Sequence, residues 1–403
     1  MCIRDSSCSD QLCQQEVTYT KATAVYANLD DFRVDNLNES PKQLESANKI
    51  YLSNNLILIS ERMKGIHVFD NSDPKNPVAI NFLNIPGNNE MFVEGNFIYA
   101  DSYYDMLKVD ISSPLQAEVV SRLEQAFTSN IINDAGEILV GFNEEIVTEE
   151  LSCDANIQTD SRVYLDWKRD RIDDSAIPTA FVSNSNGTLG TANRIAKVED
   201  LIFIIDNTNI YTFQDNVKIT EAAPSKALGS ALETIYPAHD YLYIGSNNGM
   251  SIYKINSDNR SSFIGSFRHA TGCDPVLPVD QNVAYVTLRS GDDCPGVENN
   301  ISIVNISNPH DPTLIQVLTM DSPYGMTMHN DKLYVGEGVN GFKIFDASKR
   351  DEIKLIETNR SIETYDIIVH PIDNNILLFA NPNGISQYAT QGQEYNLLSS
   401  ITY

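Results

Sequence analysis

The sequence predicts an all-β fold: a single β-propeller of eight blades, each of four antiparallel strands, with seven blades as the alternative. Two observations predict it. The first is a phrase that returns along the chain as Gly65-Ile-His-Val-Phe-Asp-Asn-Ser-Asp-Pro74, Asp105-Met-Leu-Lys-Val-Asp-Ile-Ser-Ser-Pro114 and Asn300-Ile-Ser-Ile-Val-Asn-Ile-Ser-Asn-Pro309. Looser copies are Gly249-Met-Ser-Ile-Tyr-Lys-Ile-Asn256 and Gly341-Phe-Lys-Ile-Phe-Asp-Ala-Ser348. Apolar residues alternate through the phrase, as in a strand with one buried face. Its Asp/Asn-x-Ser-x-Pro ending stops that strand, because short polar side chains bond local backbone and Pro cannot continue a ladder. The second observation is spacing: recurrence at roughly forty to fifty residues marks a repeat array whose units bury their faces against one another.

Taken in chain order, residues 1–45 are expected to be an N-terminal tether and closing segment ahead of a propeller at 46–403. Within it Val17-Thr-Tyr-Thr20 reads as a strand that completes the last blade, and Pro41 to Ala47 as a short helix. From Lys49 the chain divides into eight units, about 46–88, 89–126, 127–190, 191–231, 232–270, 271–321, 322–361 and 362–403. In the second unit, Met91 to Ala100 is a strand, a two-residue Gly95-Asn96 hairpin turn and another strand. Met106 to Ile111 then gives a third strand and Glu118 to Leu123 an outer one, which makes one blade. The hairpin frame returns from Asp200, Asp240, Asn282 and Asp331, and more weakly at Gly136 to Val140 and Asn375 to Phe379. The third unit is swollen by an insertion at about 143–190, which holds Cys153, the single Trp167 and the charged run Lys168 to Asp174. If that stretch is not a blade, the ring has seven.

Composition narrows the function. Of 403 residues 42% are hydrophobic, enough for a large core, and 28 Lys+Arg against 55 Asp+Glu give a formal charge of −27. Nucleic acid is therefore not an expected partner, since no basic stripe exists to neutralise phosphates. Adhesion to anionic lipid is disfavoured for the same reason, and the charge reads as a device for solubility. No run of about 18 apolar residues exists to span a membrane. The cysteines are Cys2, Cys8, Cys13, Cys153, Cys273 and Cys294. Cys273 and Cys294 sit in Pro/Gly-rich turns flanking two strands, which suits a disulfide contributing about 3 kcal/mol by loop entropy. Cys13 and Cys153 are candidates for a second bridge. Zinc is disfavoured, with no close CxxC spacing and no histidine pair nearby. Disulfides place the chain in an oxidising compartment. Ser7-Cys8-Ser9-Asp10 resembles the segment after cleavage in bacterial lipoproteins, which makes Cys8 a candidate for lipidation. On that reading a signal sequence is missing and Met1 to Ser7 is a truncated start. A plain secreted N-terminus is the alternative.

The strand–Gly-Asn–Phe-Ile-Tyr hairpin and the Ile-x-Val-Phe-Asp-x-Ser-x-Pro phrase resemble the LVIVD-repeat family of bacterial envelope proteins. The resemblance covers nearly the whole chain from Lys49, and is strongest in the first, second, sixth and seventh units. It implies a β-propeller on a secreted or lipid-anchored protein. It implies no reaction, because the family has no shared catalytic motif to carry over.

Catalytic signatures are scarce in the residues themselves. There is no GxSxG elbow, HExxH, P-loop or GxGxxG after a strand. The histidines, His67, His239, His269, His310, His329 and His370, are spread over different units and read as surface or turn residues. His67, between Ile66 and Val68, is expected to face away from both. Asp292-Asp293 with Glu298, and Asp170 with Asp173-Asp174, lack EF-hand spacing, so calcium is unsupported and no cofactor is implied.

Architecture supplies the site hypothesis. Residues entering the innermost strands crowd one mouth of the central channel, and these include Glu90, Asn130, Arg194, Glu233, Asp274, Tyr324 and Asp366. Polar groups converging on a concavity are the usual form of a ligand site, and Arg194 is a cation among carboxylates. The sequence thus reads as a monomeric, non-enzymatic cell-envelope propeller that binds proteins or glycans or serves as a scaffold. An exposed apolar patch near Trp167 would support a protein partner. The rival is an extracellular hydrolase or lyase at the channel mouth, with Glu90, Glu233 or Asp274 in acid–base roles.

Overall fold

The structure, a computed structural model, describes residues 14–34, 36–126, 133, 135–152, 163–165, 194–205, 209–214, 217–222, 232–246, 248–268, 275–290 and 298–403. The chain divides into two compact units, residues 1–34 with 129–183, and residues 35–128 with 184–403.

In the first unit Gln14–Ala27 runs antiparallel to Ile138–Ser152, and Val163–Leu165 lies parallel on the other side. Val17 to Thr20, expected to close the last blade, instead sit inside this ladder, with Val17 opposite Glu149 and Thr20 opposite Ile146. The weak hairpin frame at Gly136 to Val140 leads into the same long strand. The third sequence unit is consequently not a blade, and the eight-blade count is corrected to seven.

The second unit is a propeller of seven blades, each of four strands in chain order from the innermost outward, and in blade 1 Asn38–Glu39 adds a short fifth strand outside the fourth. Blade 1 is Ile50–Ser53, Leu56–Glu61, Gly65–Asp70 and Val78–Asn84. Blade 2 is Met91–Glu94, Phe97–Ser102, Asp105–Asp110 and Glu118–Leu123. Blade 3 is Ile195–Val198, Leu201–Ile205, Ile210–Gln214 and Val217–Ala222. Blade 4 is Leu232–Ala238, Tyr241–Ser246, Gly249–Ile255 and Ser261–Arg268. Blade 5 is Val276–Pro278, Val283–Leu288, Asn300–Asn305 and Thr313–Thr319. Blade 6 is Met326–His329, Lys332–Gly336, Phe342–Asp346 and Lys354–Asn359. Blade 7 is Asp366–Val369, Ile376–Asn381, Gly384–Gln391 and Glu394–Thr402.

The repeated phrase is the third strand of a blade plus the turn that ends it. Asp70 accepts from the Ser72 backbone N–H at 2.9 Å and from its hydroxyl at 2.6 Å, and Asp110 does the same with Ser112 at 2.8 and 2.6 Å. Asn305 repeats the turn with Ser307 at 2.9 and 2.7 Å. These serine donors hold the Asp70 and Asp110 carboxyls below their ordinary range. Between third and outer strand every blade carries one β-bulge. The residue skipped by the register is aliphatic each time: Ile80, Val120, Ile219, Ile264, Ile315, Ile356 and Leu398. A bulge bends and twists the strand that carries it, and here it does so at the ring's perimeter.

The core lies between facing blades, so both faces of a middle strand are buried. Leu277, Tyr285 and Ile303 of blade 5 pack on Met326, Leu333 and Phe345 of blade 6. This two-sided packing corrects the expectation for His67, which faces away from Ile66 and Val68 yet is only 1% exposed. Pro41 to Ala47 is not helical. Leu44 is buried among Ile57, Ile59 and Phe69 of blade 1 and Leu378 and Ile385 of blade 7, and this anchor takes the place of helical hydrogen bonds. The seam between blades 7 and 1 closes through side chains: Asn71 Nδ2 donates to Gln387 Oε1 at 3.0 Å, and Gln387 Nε2 donates to Asn71 Oδ1 at 2.7 Å. The Ser399 hydroxyl adds a bond to the Pro74 carbonyl at 2.7 Å.

Candidate functional site

In a four-stranded antiparallel blade, the start of the innermost strand and the turn between second and third strands fall at the same end. That end, repeated around the ring, is the rim on which the expected site residues lie. Two local arrangements stand out on it.

At blades 1 and 2, Glu90 is half-buried just ahead of Met91–Glu94. Its N–H donates to Asp101 Oδ1 at 2.8 Å, as do the Asn89 N–H at 2.7 Å and the Asn88 side-chain amide at 2.9 Å. The buried Lys49 ammonium lies 3.5 Å from Glu90 Oε2. Burial pushes the Asp101 carboxyl up to about 7, although its backbone and amide donors pull the other way. Asp101 thus fixes the loop that leads into blade 2, from a position closed to solvent.

At blades 5 to 7, Tyr324 and Tyr365 meet with ring centroids 4.5 Å apart and planes tilted by 59°. The Arg289 guanidinium carbon lies 4.2 Å from the Tyr324 centroid. Gly338, whose φ is +59°, makes room for this stack, because a Cβ there would strike the Tyr324 ring. It also bridges to blade 7, donating to the Thr364 carbonyl at 2.7 Å and accepting from the Thr364 N–H at 3.0 Å. Burial, with Tyr324 and Glu363 adding to it, raises the Tyr365 phenol, which therefore stays a neutral donor. The three side chains are half-buried, so each keeps one part open at the rim. Asp366, one residue on, is buried with its carboxyl against Gly325, where any Cβ would collide with Oδ1.

Of the residues expected at the mouth, Tyr324 and Asp366 thus come together at the seam of blades 6 and 7. Glu90 belongs to the Asp101 network. Arg194 and Glu233 are half-buried at the starts of blades 3 and 4, and the Arg194 carbonyl accepts from the Ile205 N–H at 2.9 Å. Asn130 and Asp274 lie outside the described residues. So do Cys8, Cys13, Cys153, Cys273 and Cys294, and Trp167. Tyr365 is the other half of the Tyr365-Asp366 strand entrance expected at the mouth, whereas Asp101 and Arg289 were not expected there. A signal for both existed, because residues ending a second strand share the rim with those entering the first.

Two buried contacts to a glutamate, one a hydrogen bond and one an ion pair, recur at one place in the repeat. In blade 1 His67 Nε2 lies 2.8 Å from Glu61 Oε2, and in blade 6 Lys343 Nζ lies 2.9 Å from Glu337 Oε2. Burial lowers the His67 pKa, so the neutral ring donates its Nε2–H to Glu61. Beside the first pair opens a cleft of about 340 Å³ lined by Lys42, Glu45, Glu61, Lys64, Phe82 and Pro86 among others. Its charges are matched internally, since Lys64 pairs with both Glu45 and Glu61. These pairs tie second strand to third within a blade, and their role is structural. The turn-ending His370 is equally local, accepting at Nδ1 from the N–H groups of Ile372 and Asp373 at 3.3 and 3.2 Å.

No known protein family matches this sequence. No curated protein matches it either. Among solved structures, the fold is similar to the WD40 domain of Neurospora crassa Pan2, at 8% identity over 93% of this chain and 94% of that one, with a TM-score of 0.52. It is also similar to a functionally unknown protein from Desulfotomaculum acetoxidans DSM 771, at 11% identity over 86% and 95% of the two chains, TM-score 0.55. The computationally designed Ika8 protein gives 10% identity over 91% and 90%, TM-score 0.53. At these identities the likeness shows the fold alone.

Proposed function

We propose that this chain is a non-catalytic binding module of the bacterial cell envelope, an LVIVD-type propeller that presents the rim above blades 5 to 7 to a protein or glycan. The observation that carries the reading is the Arg289–Tyr324–Tyr365 stack. Tyr and Arg dominate binding hot spots because they offer large, stiff, amphipathic contact area, and a stacked pair with its cation already in place needs little ordering on binding. The envelope setting rests on the resemblance of the repeats and on the sequence positions of Cys273 and Cys294, which suit a disulfide. The rival, hydrolase or lyase chemistry, would need an accessible carboxyl able to hold and release a proton near neutral pH. Asp101 has the affinity but is buried and already engaged by three donors.

The test is a binding screen of the purified chain against immobilised envelope glycans and envelope proteins, repeated with the Arg289→Ala/Tyr324→Ala double variant. Loss of at least tenfold in affinity, about 1.4 kcal/mol, with an unchanged melting temperature supports the reading. Undiminished binding by the variant, or product release from a polysaccharide panel, overturns it.

A further inference from the structure

The outer strand of a propeller blade leaves one row of backbone N–H and C=O groups facing outward, and proteins guard such edges with charges or by covering them. This ring follows the rule in six blades. The outer strands of blades 2, 3, 4, 6 and 7 carry Glu118 and Arg122, Lys218 and Glu221, Arg268, Lys354 and Glu357, and Glu394 respectively. Blade 1 has an uncharged outer strand, Val-Ala-Ile-Asn-Phe-Leu-Asn, and there the chain covers the edge itself: Asn38–Glu39 pairs antiparallel along it, Asn38 opposite Leu83 and Glu39 opposite Phe82. Blade 5 is the exception. Thr313-Leu-Ile-Gln-Val-Leu-Thr319 holds no charge, no Pro and no Gly, and among the described residues no strand pairs with its outer side. Leu314, Ile315 and Val317 are 50%, 42% and 46% exposed.

We propose that this edge is an interaction surface and that its occupant is the same strand of a second copy of this chain. The register follows from blade 1, whose cover lies just past the bulged Ile80. In blade 5 the bulged residue is Ile315, so Val317 and Leu318 hold the positions of Phe82 and Leu83. A two-fold axis can oppose a residue only to itself or to one an even number of positions away, so antiparallel pairing there sets Val317 against Val317 of the second copy and Gln316 against its Leu318. The strand suits a two-fold partner, because this register faces the β-branched Val317 with its own copy and brings no like charges together. A contact that uses the same strand on both sides is closed and stops at a dimer. It is also small, and two bodies of charge −27 repel, so association is weak and strengthens with salt. This replaces the monomer expected above and is independent of the rim.

Sedimentation of the full chain at about 0.5 M salt, where screening acts within roughly 5 Å, gives the test. Over a roughly hundredfold rise in concentration the wild type should pass from monomer to dimer, with slowed hydrogen exchange at the outward-facing Val317 and Thr319 amides. Val317→Lys should remain monomeric with an unchanged melting temperature. A wild type that stays monomeric throughout, or a Val317→Lys variant that still dimerises, overturns the proposal. So does a monomeric wild type whose edge amides are protected only by an added Thr313–Thr319 peptide, because the occupant would then be a foreign strand.

Discussion

Asp101 is a carboxyl group that the fold holds against its own preference for water. Its three donors stabilise the charged form, but burial wins and raises the pKa from 3.8 to about 7. The sign of the consequence follows. Between pH about 4 and 7 the unfolded chain has lost this proton while the folded chain keeps it, so this group's contribution to stability falls as pH rises, levelling off above 7. At 1.36 kcal/mol per unit the full effect is on the order of 4 kcal/mol. Asp101→Asn keeps an acceptor for the three donors and removes the proton. Melting curves at several pH values should show the variant gaining on the wild type from pH 4 to 7, and parallel curves would refute the assignment. None of this was legible in the sequence, where Asp101 is one polar residue at a strand end. Burial depends on the neighbouring blade, which a linear reading does not see. Tyr324 and Asp366 were found because strand entrances are visible as a change from polar to apolar residues. Arg289 carries no such change, because it follows a second strand and enters no first one.

Among elements, the repeated phrase was the most legible, since a two-residue alternation and an Asx-Ser-Pro stop are both local physics. Its first residue has a reason that appears only in three dimensions. Gly341, at φ +89°, immediately precedes the third strand of blade 6 and lies against the carbonyl of Asn359 in the outer strand, where a Cβ would overlap that oxygen. Gly65, Gly249 and Gly384 stand in the same relation to their own outer strands. Gly341→Ala should therefore lower stability by about 1–3 kcal/mol in urea titration, through strain and loss of the strand's register. An unchanged midpoint would mean that the outer strand yields freely. The bulges were not legible: a skipped Ile looks like any other Ile in an apolar run. The extra blade was counted because Gly136 to Val140 fits the hairpin frame, and nothing local shows that the strand runs on to Ser152 with Gln14–Ala27 as its partner.

For the whole molecule, the ring's closure is the feature that sequence reading placed wrongly. An N-terminal strand was expected to complete the last blade, yet blade 7 is built entirely from Asp366 to Thr402. The seam with blade 1 holds through the shared apolar cluster and the reciprocal Asn71–Gln387 amide pair, both side chains 1% exposed. Gln387→Ala leaves a buried Asn71 without that partner and should cost about 1–3 kcal/mol. The loss should be largest in the unfolding rate, if this seam is where the ring parts. The control is Gln391→Ala, an exposed site on the same strand, and equal effects from both would remove the seam from its special position.

A ring clasped in this manner has a genetic corollary. Every blade of the ring is encoded by one uninterrupted run of codons, with no strand on loan from the opposite terminus. Copying or excising such a run in frame at any boundary adds or removes a finished part, never half of one. Lineages carrying this architecture are free to change their number of parts by ordinary recombination, provided the final pair of faces still offers each other matching amides and grease.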